Sequence, residues 1–307
     1  MRATTTTPPA VAAVLVATLA LTGCGDDGTA VSRGDECRIA VSPRPGAPVG
    51  DGAKDAVRII ETTGFAPAPE RCADRELTAE FEVTNGKREP YTYTVTFSVT
   101  DASSGRAHST GPVTVAAVQA GGTVRRTFTA PHVPSEVRAS ARVSVTEVRS
   151  VPTDEVGSPS GGCPPSGVRV TAGQGNAAMG LRVVGVTLTN CGTRPYTLDG
   201  HPGLTPLDED HRPLDGVRIL PGGGDIAQVT GFDAAPRPVT LAPGETATTD
   251  LMWRNTHTGY GEAASAPYVR LVPKPGAPPV TLIPELDLGT TGKLGVSAWQ
   301  KPAKGSR

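Results

Sequence analysis

The segment YTYTVTFSVT, residues 91–100, decides the fold class, because its apolar and polar residues alternate without interruption. Every second residue from Tyr91 to Val99 is aromatic or β-branched, and threonine or serine stands between them. A period of two is typical of a β-strand with one buried face. The preceding residues, Leu77–Thr84, alternate in the same way, and the turn residues NGKREP (85–90) separate the two runs. The sequence therefore predicts two strands that pair as a hairpin.

Further short apolar runs, separated by turn residues, continue along the chain. We expect strands at Val113–Val118, Val124–Thr129, Val137–Val148, Gly167–Thr171, Leu181–Thr189, Val217–Leu220, Ile226–Thr230, Thr246–Trp253, Tyr268–Val272, Val280–Ile283 and Leu294–Trp299. Their spacing is not helical, and Pro-Gly turns punctuate the second half of the chain. The sequence predicts an all-β fold of two immunoglobulin-like β-sandwich domains in tandem. The halves are candidates for divergent copies, although no residue-level repeat is recognised.

The N-terminus has the features of an export signal. The apolar run Ala10–Leu21 is shorter than the about 20 residues that a membrane-spanning helix needs, and it lacks the polar face of a core helix. It suits the hydrophobic region of a secretory signal, with Arg2 as a thin positive flank. The residues Leu21-Thr22-Gly23-Cys24 resemble the bacterial lipobox.

That resemblance implies cleavage before Cys24 by a lipoprotein signal peptidase and attachment of diacylglycerol, with its palmitate-type chains, to the Cys24 sulfur. Two acyl chains are enough for stable anchoring. We therefore expect a lipoprotein on the extracytoplasmic face of the cell membrane. The expected segments are a cleaved signal peptide (1–23), a flexible tether (24–36), a β-sandwich (37–151), a linker (152–162), a second β-sandwich (163–301) and a C-terminal tail (302–307).

The chain has five cysteines, an odd number that lipidation of Cys24 explains. The other four permit three pairings. The linker favours pairing within each half, Cys37–Cys72 and Cys163–Cys191, and each disulfide would contribute roughly 3.5–4 kcal/mol in the loop-entropy model. No Cys-x-x-Cys spacing occurs and no histidines cluster near a cysteine, so a zinc site is not expected.

Four motifs in order resemble the domain of unknown function DUF4232: CPPSGVRV (163–170), GLRVVGVTLTNCGTRPYTLDGHPGL (180–204), LAPGETATTDLMWRN (241–255) and TTGKLGVSAW (290–299). The resemblance implies an immunoglobulin-like sandwich with a family disulfide and no established activity. In many members the second cysteine stands just before a Leu-x-Gly. Here Tyr196 lies near that position and Cys191 lies upstream of it, so the family pattern does not guarantee the Cys163–Cys191 pairing.

Signatures of catalysis or metal binding are scarce. The five histidines, His108, His132, His201, His211 and His257, lack metal-ligand spacing. The acidic run from Asp208 to His211 is interpreted as a solvated hairpin tip between Leu207 and Leu214 rather than a calcium loop, because Arg212 and Pro213 follow it. No G-x-S-x-G or S-x-x-K occurs. We expect no metal, no cofactor and no enzymatic activity, and the net charge of −1 does not predict nucleic-acid binding.

Aromatic residues of the second half are the remaining candidates for ligand contact. Trp253 continues an alternating run and Trp299 ends a strand, so both are interpreted as core residues. Tyr260 lies in the loop RNTHTGYGEAASAP (254–267), which with His257 and His201 forms a candidate binding rim.

The leading hypothesis is a lipid-anchored, non-enzymatic binding module whose partner is a cell-wall polymer or another envelope protein. The alternative is an envelope hydrolase, or its accessory subunit, with a site built from loops. A solute-binding lipoprotein for a transporter is disfavoured, since such proteins usually have two α/β lobes and helical periodicity is scarce in this sequence.

Overall fold

The computed structural model describes residues 56–63, 76–138, 140–157, 162–257 and 262–302. The predicted signal peptide, tether, Cys24, Cys37, Cys72 and Tyr260 lie outside these ranges. Almost all regular structure is β, as predicted, and it surrounds two large hydrophobic cores, one in each half of the chain. Within the described ranges, no helix has the length and apolar character needed to span a bilayer.

The N-terminal half has six described strands and one helical turn. They are β1 (Val57–Thr63), β2 (Thr78–Thr84), β3 (Tyr91–Asp101), β4 (Ala107–Val118), β5 (Thr123–Thr129), α1 (Ser135–Arg138) and β6 (Ala141–Pro152). Two antiparallel sheets form, in the orders β1-β2-β5 and β4-β3-β6. The Phe97 ring on β3 lies 4.7 Å from the rings of both Phe81 on β2 and Phe128 on β5, so the two sheets enclose one core.

The strand expected at residues 91–100 is confirmed, but its expected hairpin with the preceding strand is wrong. β2 and β3 lie in different sheets, and the segment 85–90 crosses between them. The reason lies in Asn85, whose buried amide donates hydrogen bonds to the carbonyls of Glu89 and Val118, each at 2.8 Å. Because the Asn85 side chain is hydrogen-bonded to the end of a distant strand, the segment 85–90 crosses from one sheet to the other. A tight two-residue turn would instead have paired β2 with β3.

The C-terminal half contains twelve described strands: β7 (Val168–Ala178), β8 (Leu181–Asn190), β9 (Tyr196–Leu198), β10 (Gly203–Leu207), β11 (Arg218–Pro221), β12 (Val239–Leu241), β13 (Thr246–Arg254), β14 (Ala264–Ala266), β15 (Tyr268–Val272), β16 (Val280–Leu282), β17 (Leu286–Gly289) and β18 (Lys293–Val296). The largest sheet has the order β11-β18-β13-β8-β7, and β10-β15-β16 form a second sheet. The pairs β12-β9 and β14-β17 complete the half.

The predicted Cys163–Cys191 disulfide is confirmed, with a Cα–Cα distance of 5.5 Å. Cys163 precedes β7 and Cys191 follows β8, so the bond closes the open end of this strand pair, next to the Val168–Asn190 partners.

One expected strand begins later than predicted, and another does not form. The segment that begins at Val137 is helical until Arg138, and β6 begins only at Ala141. The residues 226–230 form no strand. They belong to a glycine-rich segment that lies on the outer face of the largest sheet, and its residues Ile226 and Val229 are half-buried there without strand pairing.

The two halves contain a repeat that the sequence analysis did not recognise. The pattern Thr-Asn-x4-Pro-Tyr-Thr occurs at residues 84–92 and 189–197. Asn85 and Asn190 are both buried. In each, the amide donates to the carbonyl four residues later and to a carbonyl at the end of a distant strand, and the side-chain oxygen accepts from the N–H two residues later. The partners are Glu89, Val118 and Lys87 for Asn85, and Arg194, Leu241 and Gly192 for Asn190.

The turn that follows each distant strand is also repeated, as VQAGGT (118–123) and LAPGET (241–246). The backbone of each asparagine bonds to this turn in both directions. Strand pairing then starts from equivalent threonines, Thr84 with Thr123 in the first half and Thr189 with Thr246 in the second. The β1-β2-β5 and β7-β8-β13 arrangements are therefore copies of one structural unit.

A polar junction joins the two halves, and Arg149 on β6 is at its centre. The guanidinium donates to both carboxylate oxygens of Glu285, at 2.6 and 2.8 Å, and to Glu209 at 3.0 and 3.3 Å. Glu147 on the same strand lies 3.0 Å away. Burial alone would lower the pKa of Arg149. The hydrogen bonds to Glu285 and the charges of the three carboxylates together outweigh burial, so the pKa lies above its usual value.

The junction continues through aromatic rings and a second carboxylate. The phenol oxygen of Tyr268 accepts the Ser150 N–H at 3.1 Å, and the His211 ring lies 4.3 Å from the Tyr268 ring and 5.6 Å from the Tyr91 ring. Glu155, in a 3₁₀ turn at Thr153–Glu155, accepts hydrogen bonds from Arg270 at 3.0 Å and from Thr281 at 2.5 Å. The first residues of the predicted linker are thus held against the C-terminal half.

Candidate functional site

The predicted binding rim is only partly described. His201 is half-buried between β9 and β10, and His257 is exposed after β13. In the described part of the chain, no hydrogen bond, ion pair or ring contact joins the two histidines. Tyr260 lies outside the described residues, so the rim stays a prediction.

The two tryptophans are core residues, as interpreted from the sequence. Both are buried, and each indole N–H has a partner: Trp253 donates to Asp287 at 2.7 Å, and Trp299 donates to the Pro273 carbonyl at 3.0 Å. Neither ring is available for stacking on a ligand.

The acidic loop after β10 is a turn in which the carboxylates of Asp208 and Asp210 are bonded within the loop. Asp208 accepts the backbone N–H of Asp210 at 2.9 Å and of Arg212 at 2.8 Å, and the Arg212 side chain pairs with both aspartates. In the described residues, no three His, Cys, Asp or Glu side chains are grouped as metal ligands would be. The tip is not simply solvated, however, because Glu209 and His211 contact the N-terminal half through the junction.

Two cavities in the C-terminal half merit comparison. The larger, about 360 Å³, lies beside Asp287 and Arg182. Its charges are satisfied within the chain: Asp287 accepts from Trp253 at 2.7 Å and from Asn255 at 2.6 Å and pairs with Arg182 at 3.4 Å. Its other carboxylate, Glu285, is held by Arg149. This cavity offers a ligand little unused polar capacity.

The smaller cavity, about 220 Å³, has different chemistry, and we name it the Asp250 cavity. It is lined by Val183, Val229, Thr230, Gly231, Phe232, Thr248, Asp250, Ser297 and Gln300. Asp250 is its only charged residue. Apolar side chains and one aromatic ring share the lining with two threonines, a combination typical of small-molecule sites.

The alternation of β13 places Asp250 on the outer face of the largest sheet. Ala247, Thr249 and Leu251 are buried toward the core, so Thr248 and Asp250 point the other way. Asp250 is paired across the ladder with Gly185 on β8. A Cβ at Gly185 would lie 3.3 Å from Asp250 Oδ1, tighter than an ordinary contact, so glycine there leaves room for the carboxylate.

The roof of the cavity is the glycine-rich segment 222–233. A Cβ at Gly223 would overlap the terminal methyl of Met252, so this segment lies directly on the sheet. The Gly223 N–H donates to Asp233 at 2.6 Å, and the Gln300 amide donates to the Gly231 carbonyl at 3.2 Å. These bonds fix the roof above β13 and leave space beside Asp250.

The Asp250 carboxylate has no partner among the described residues. Its backbone is bonded to Ser297, through the Asp250 N–H at 2.9 Å and the Asp250 carbonyl at 3.0 Å, but no donor reaches its side chain. Burial raises the pKa of Asp250 above its usual value. A half-buried carboxylate without a partner, facing a cavity, is a candidate binding group.

Sequence reasoning missed this site. The alternation of β13 indicates which face is polar, but nothing local shows that the segment 222–233 covers that face. A weak signal was available, since Asp250 is the one acidic residue of β13 and follows a run of threonine and alanine. The equivalent positions of the first half, by register from the repeated threonines, are Thr127 and Glu80, so that half lacks the unpaired carboxylate.

Comparison with known proteins adds one clear assignment. Residues 163–300 match the model of the family described as domain of unknown function (DUF4232). No curated protein matches the chain. Among solved structures, a transglutaminase of the red sea bream matches with 11% identity and a TM-score of 0.20, which is too low to indicate a shared fold. The match covers 79% of this chain and 30% of that one. The C-terminal half of the chain, residues 163–300, belongs to the DUF4232 family.

Proposed function

We propose that the protein is a lipid-anchored protein on the extracytoplasmic face of the cell membrane, and that its C-terminal half is a non-enzymatic binding module. The Asp250 cavity carries this proposal. A half-buried charge without a partner costs free energy. Asp250 is kept in that state by the room at Gly185 and by the fixed roof, and a ligand from outside the chain would supply the missing partner.

The attachment to the membrane is supported by the N-terminal sequence. The apolar run ends at Leu-Thr-Gly-Cys, and Cys24 is followed by the polar residues GDDGTAVSRGDE. Such a segment behaves as a flexible tether, which would let the folded part reach a cell-wall polymer or another envelope protein.

Binding is favoured over hydrolysis by what lines the two cavities. Neither contains a histidine, and the Asp250 cavity has a single titratable group. General acid–base catalysis needs a positioned acid and base beside the reacting bond. The described cavities give the hydrolase alternative no specific support, whereas a half-buried carboxylate that faces a cavity is a candidate binding group.

Two experiments test the proposal. Cells fed an alkyne analogue of palmitate should label the wild-type chain and leave Cys24→Ser unlabelled and released from the membrane. The lipidated chain, purified in detergent, should be retained by a bacterial cell-wall fraction, and Asp250→Asn should reduce retention at least tenfold. Labelling of Cys24→Ser would refute the anchor, and equal retention of Asp250→Asn would refute the binding site.

A further inference from the structure

We infer that the Asp250 cavity binds the primary ammonium group at the end of an aliphatic chain, as in a lysine-type side chain. This inference rests on the proposed binding function and names the chemistry of its ligand. The charge, the free acceptors and the size of the cavity all favour such a group.

The charge of the cavity selects a cation. Asp250 is its only charged lining residue, and no donor in the described chain neutralises it. The Phe232 ring lines the same cavity, and aromatic faces attract ammonium groups. Calcium is a poor candidate, because it takes six to eight oxygen ligands and a single carboxylate is available here.

The free acceptors match an ammonium group. The Ser297 hydroxyl is engaged by the Asp250 N–H, and the Gln300 amide nitrogen is engaged by the Gly231 carbonyl. The Thr230 and Thr248 hydroxyls and the Gln300 side-chain oxygen form no hydrogen bonds among the described residues, so with Asp250 the lining offers an acceptor for each of the three N–H donors of a primary ammonium.

The size and walls of the cavity select an aliphatic chain. A volume of about 220 Å³ is below the roughly 300–1,000 Å³ of sites that enclose a whole small molecule. It therefore accommodates one end of a larger ligand. Val183, Val229 and Phe232 provide apolar surface, which suits methylene groups better than the hydroxyls of a sugar ring.

The test uses n-butylammonium as the probe and n-butanol as its neutral counterpart, with residues 24–307 carrying Cys24→Ser. Backbone amide NMR should show n-butylammonium shifting residues 247–252 with a Kd of about 1 mM, since a small fragment binds weakly. Asp250→Asn should weaken this at least tenfold, because a charge-assisted hydrogen bond is lost. n-Butanol should bind at least tenfold more weakly to the wild-type chain.

A second variant covers the case in which Asp250→Asn fails to fold. Thr248→Lys places an ammonium two residues away on the same strand face, where it should occupy Asp250 and abolish n-butylammonium binding. The control Asp215→Asn alters an exposed carboxylate outside the cavity lining and should leave binding unchanged.

The outcomes separate this inference from the proposed function. Unchanged n-butylammonium binding in both cavity variants, or equal binding of n-butanol, overturns the inference. If retention by the cell-wall fraction still depends on Asp250 but n-butylammonium neither binds nor competes, the binding function stands and the ammonium assignment is wrong. Competition by n-butylammonium, lost in Asp250→Asn, supports both.

Discussion

Replacing Arg149 by methionine tests whether the polar junction couples the two halves. Methionine keeps an aliphatic stem and removes the guanidinium, so Glu285 and Glu209 lose this partner. A hydrogen bond to a charged group contributes about 1.5–3 kcal/mol, whereas an exposed ion pair contributes about 0–1 kcal/mol. The Arg149 side chain is 15% exposed, but Glu285 and Glu209 are 46% and 62% exposed. We therefore expect a loss of about 2 kcal/mol, mostly from the two bonds to Glu285.

The assay exploits the position of the tryptophans. The chain has two, Trp253 and Trp299, both in the C-terminal half, so their fluorescence reports that half, while circular dichroism reports both. In urea, the two signals should coincide for the wild-type chain and separate for Arg149→Met. The fluorescence midpoint should fall by about 1 M, given a slope of about 2 kcal/mol per M.

A double-mutant cycle distinguishes the ion pair from a general packing effect. Glu285→Gln should couple to Arg149→Met by about 1 kcal/mol, because the residues are in direct contact. Glu209→Gln, with its more exposed carboxylate, should cost less than about 0.5 kcal/mol. The junction does not couple the two halves if Arg149→Met changes the free energy of unfolding by less than about 0.5 kcal/mol, or if its effect is additive with that of Glu285→Gln.

The remaining predictions concern pH, the disulfide and the repeated asparagine. Burial lowers the pKa of His211, so stability should fall as the pH drops below about 6.5, where the unfolded chain takes up a proton that the folded ring resists. In urea titrations from pH 7 to 5, His211→Phe should flatten this dependence and the exposed His257→Phe should not; equal slopes in all three proteins would contradict it. Replacing both Cys163 and Cys191 by alanine should lower the free energy of unfolding by about 3.5 kcal/mol, the loop-entropy value for a separation of 28 residues, and an unchanged urea midpoint would argue against it. Asn190→Ala should cost about 3 kcal/mol in thermal unfolding, since a buried side chain loses three hydrogen bonds; a cost below about 1 kcal/mol would show that water replaces them.

The strands were predictable because their faces are set by neighbouring residues. β3 buries the alternating residues that the sequence indicated, and β13 buries Trp253 as expected. The pairing of strands was less predictable, because it depends on distant contacts. Asn85 and Gly86 resemble a tight hairpin turn, yet the Asn85 amide reaches Val118, 33 residues away. No local pattern contains that information.

The candidate site was missed for a related reason. Its carboxylate lies on the polar face of a strand, which the alternation alone assigns to solvent. The face is covered because the segment 222–233 folds back on it, and this segment was expected to contribute a strand at Ile226–Thr230. Apolar residues in a short run indicate burial, but not which surface buries them. The position of Gly185 opposite Asp250 depends on the register of β8 and β13, which the sequence does not state.

The repeat shows which parts of the site belong to the scaffold shared by both halves, called the shared frame below, and which parts occur in the C-terminal half. Both halves share the buried asparagine, the crossover and the turn that starts the third strand of the unit. Between the repeated motifs, however, Thr123 follows Thr92 by 31 positions in the first half, and Thr246 follows Thr197 by 49 positions in the second. The roof over Asp250 lies in that longer interval. Because the same frame occurs without the roof and without the aspartate, the fold alone does not make a binding site. The ligand specificity of this protein should therefore follow changes in the roof and at Asp250, and should tolerate changes in the shared frame that preserve its stability.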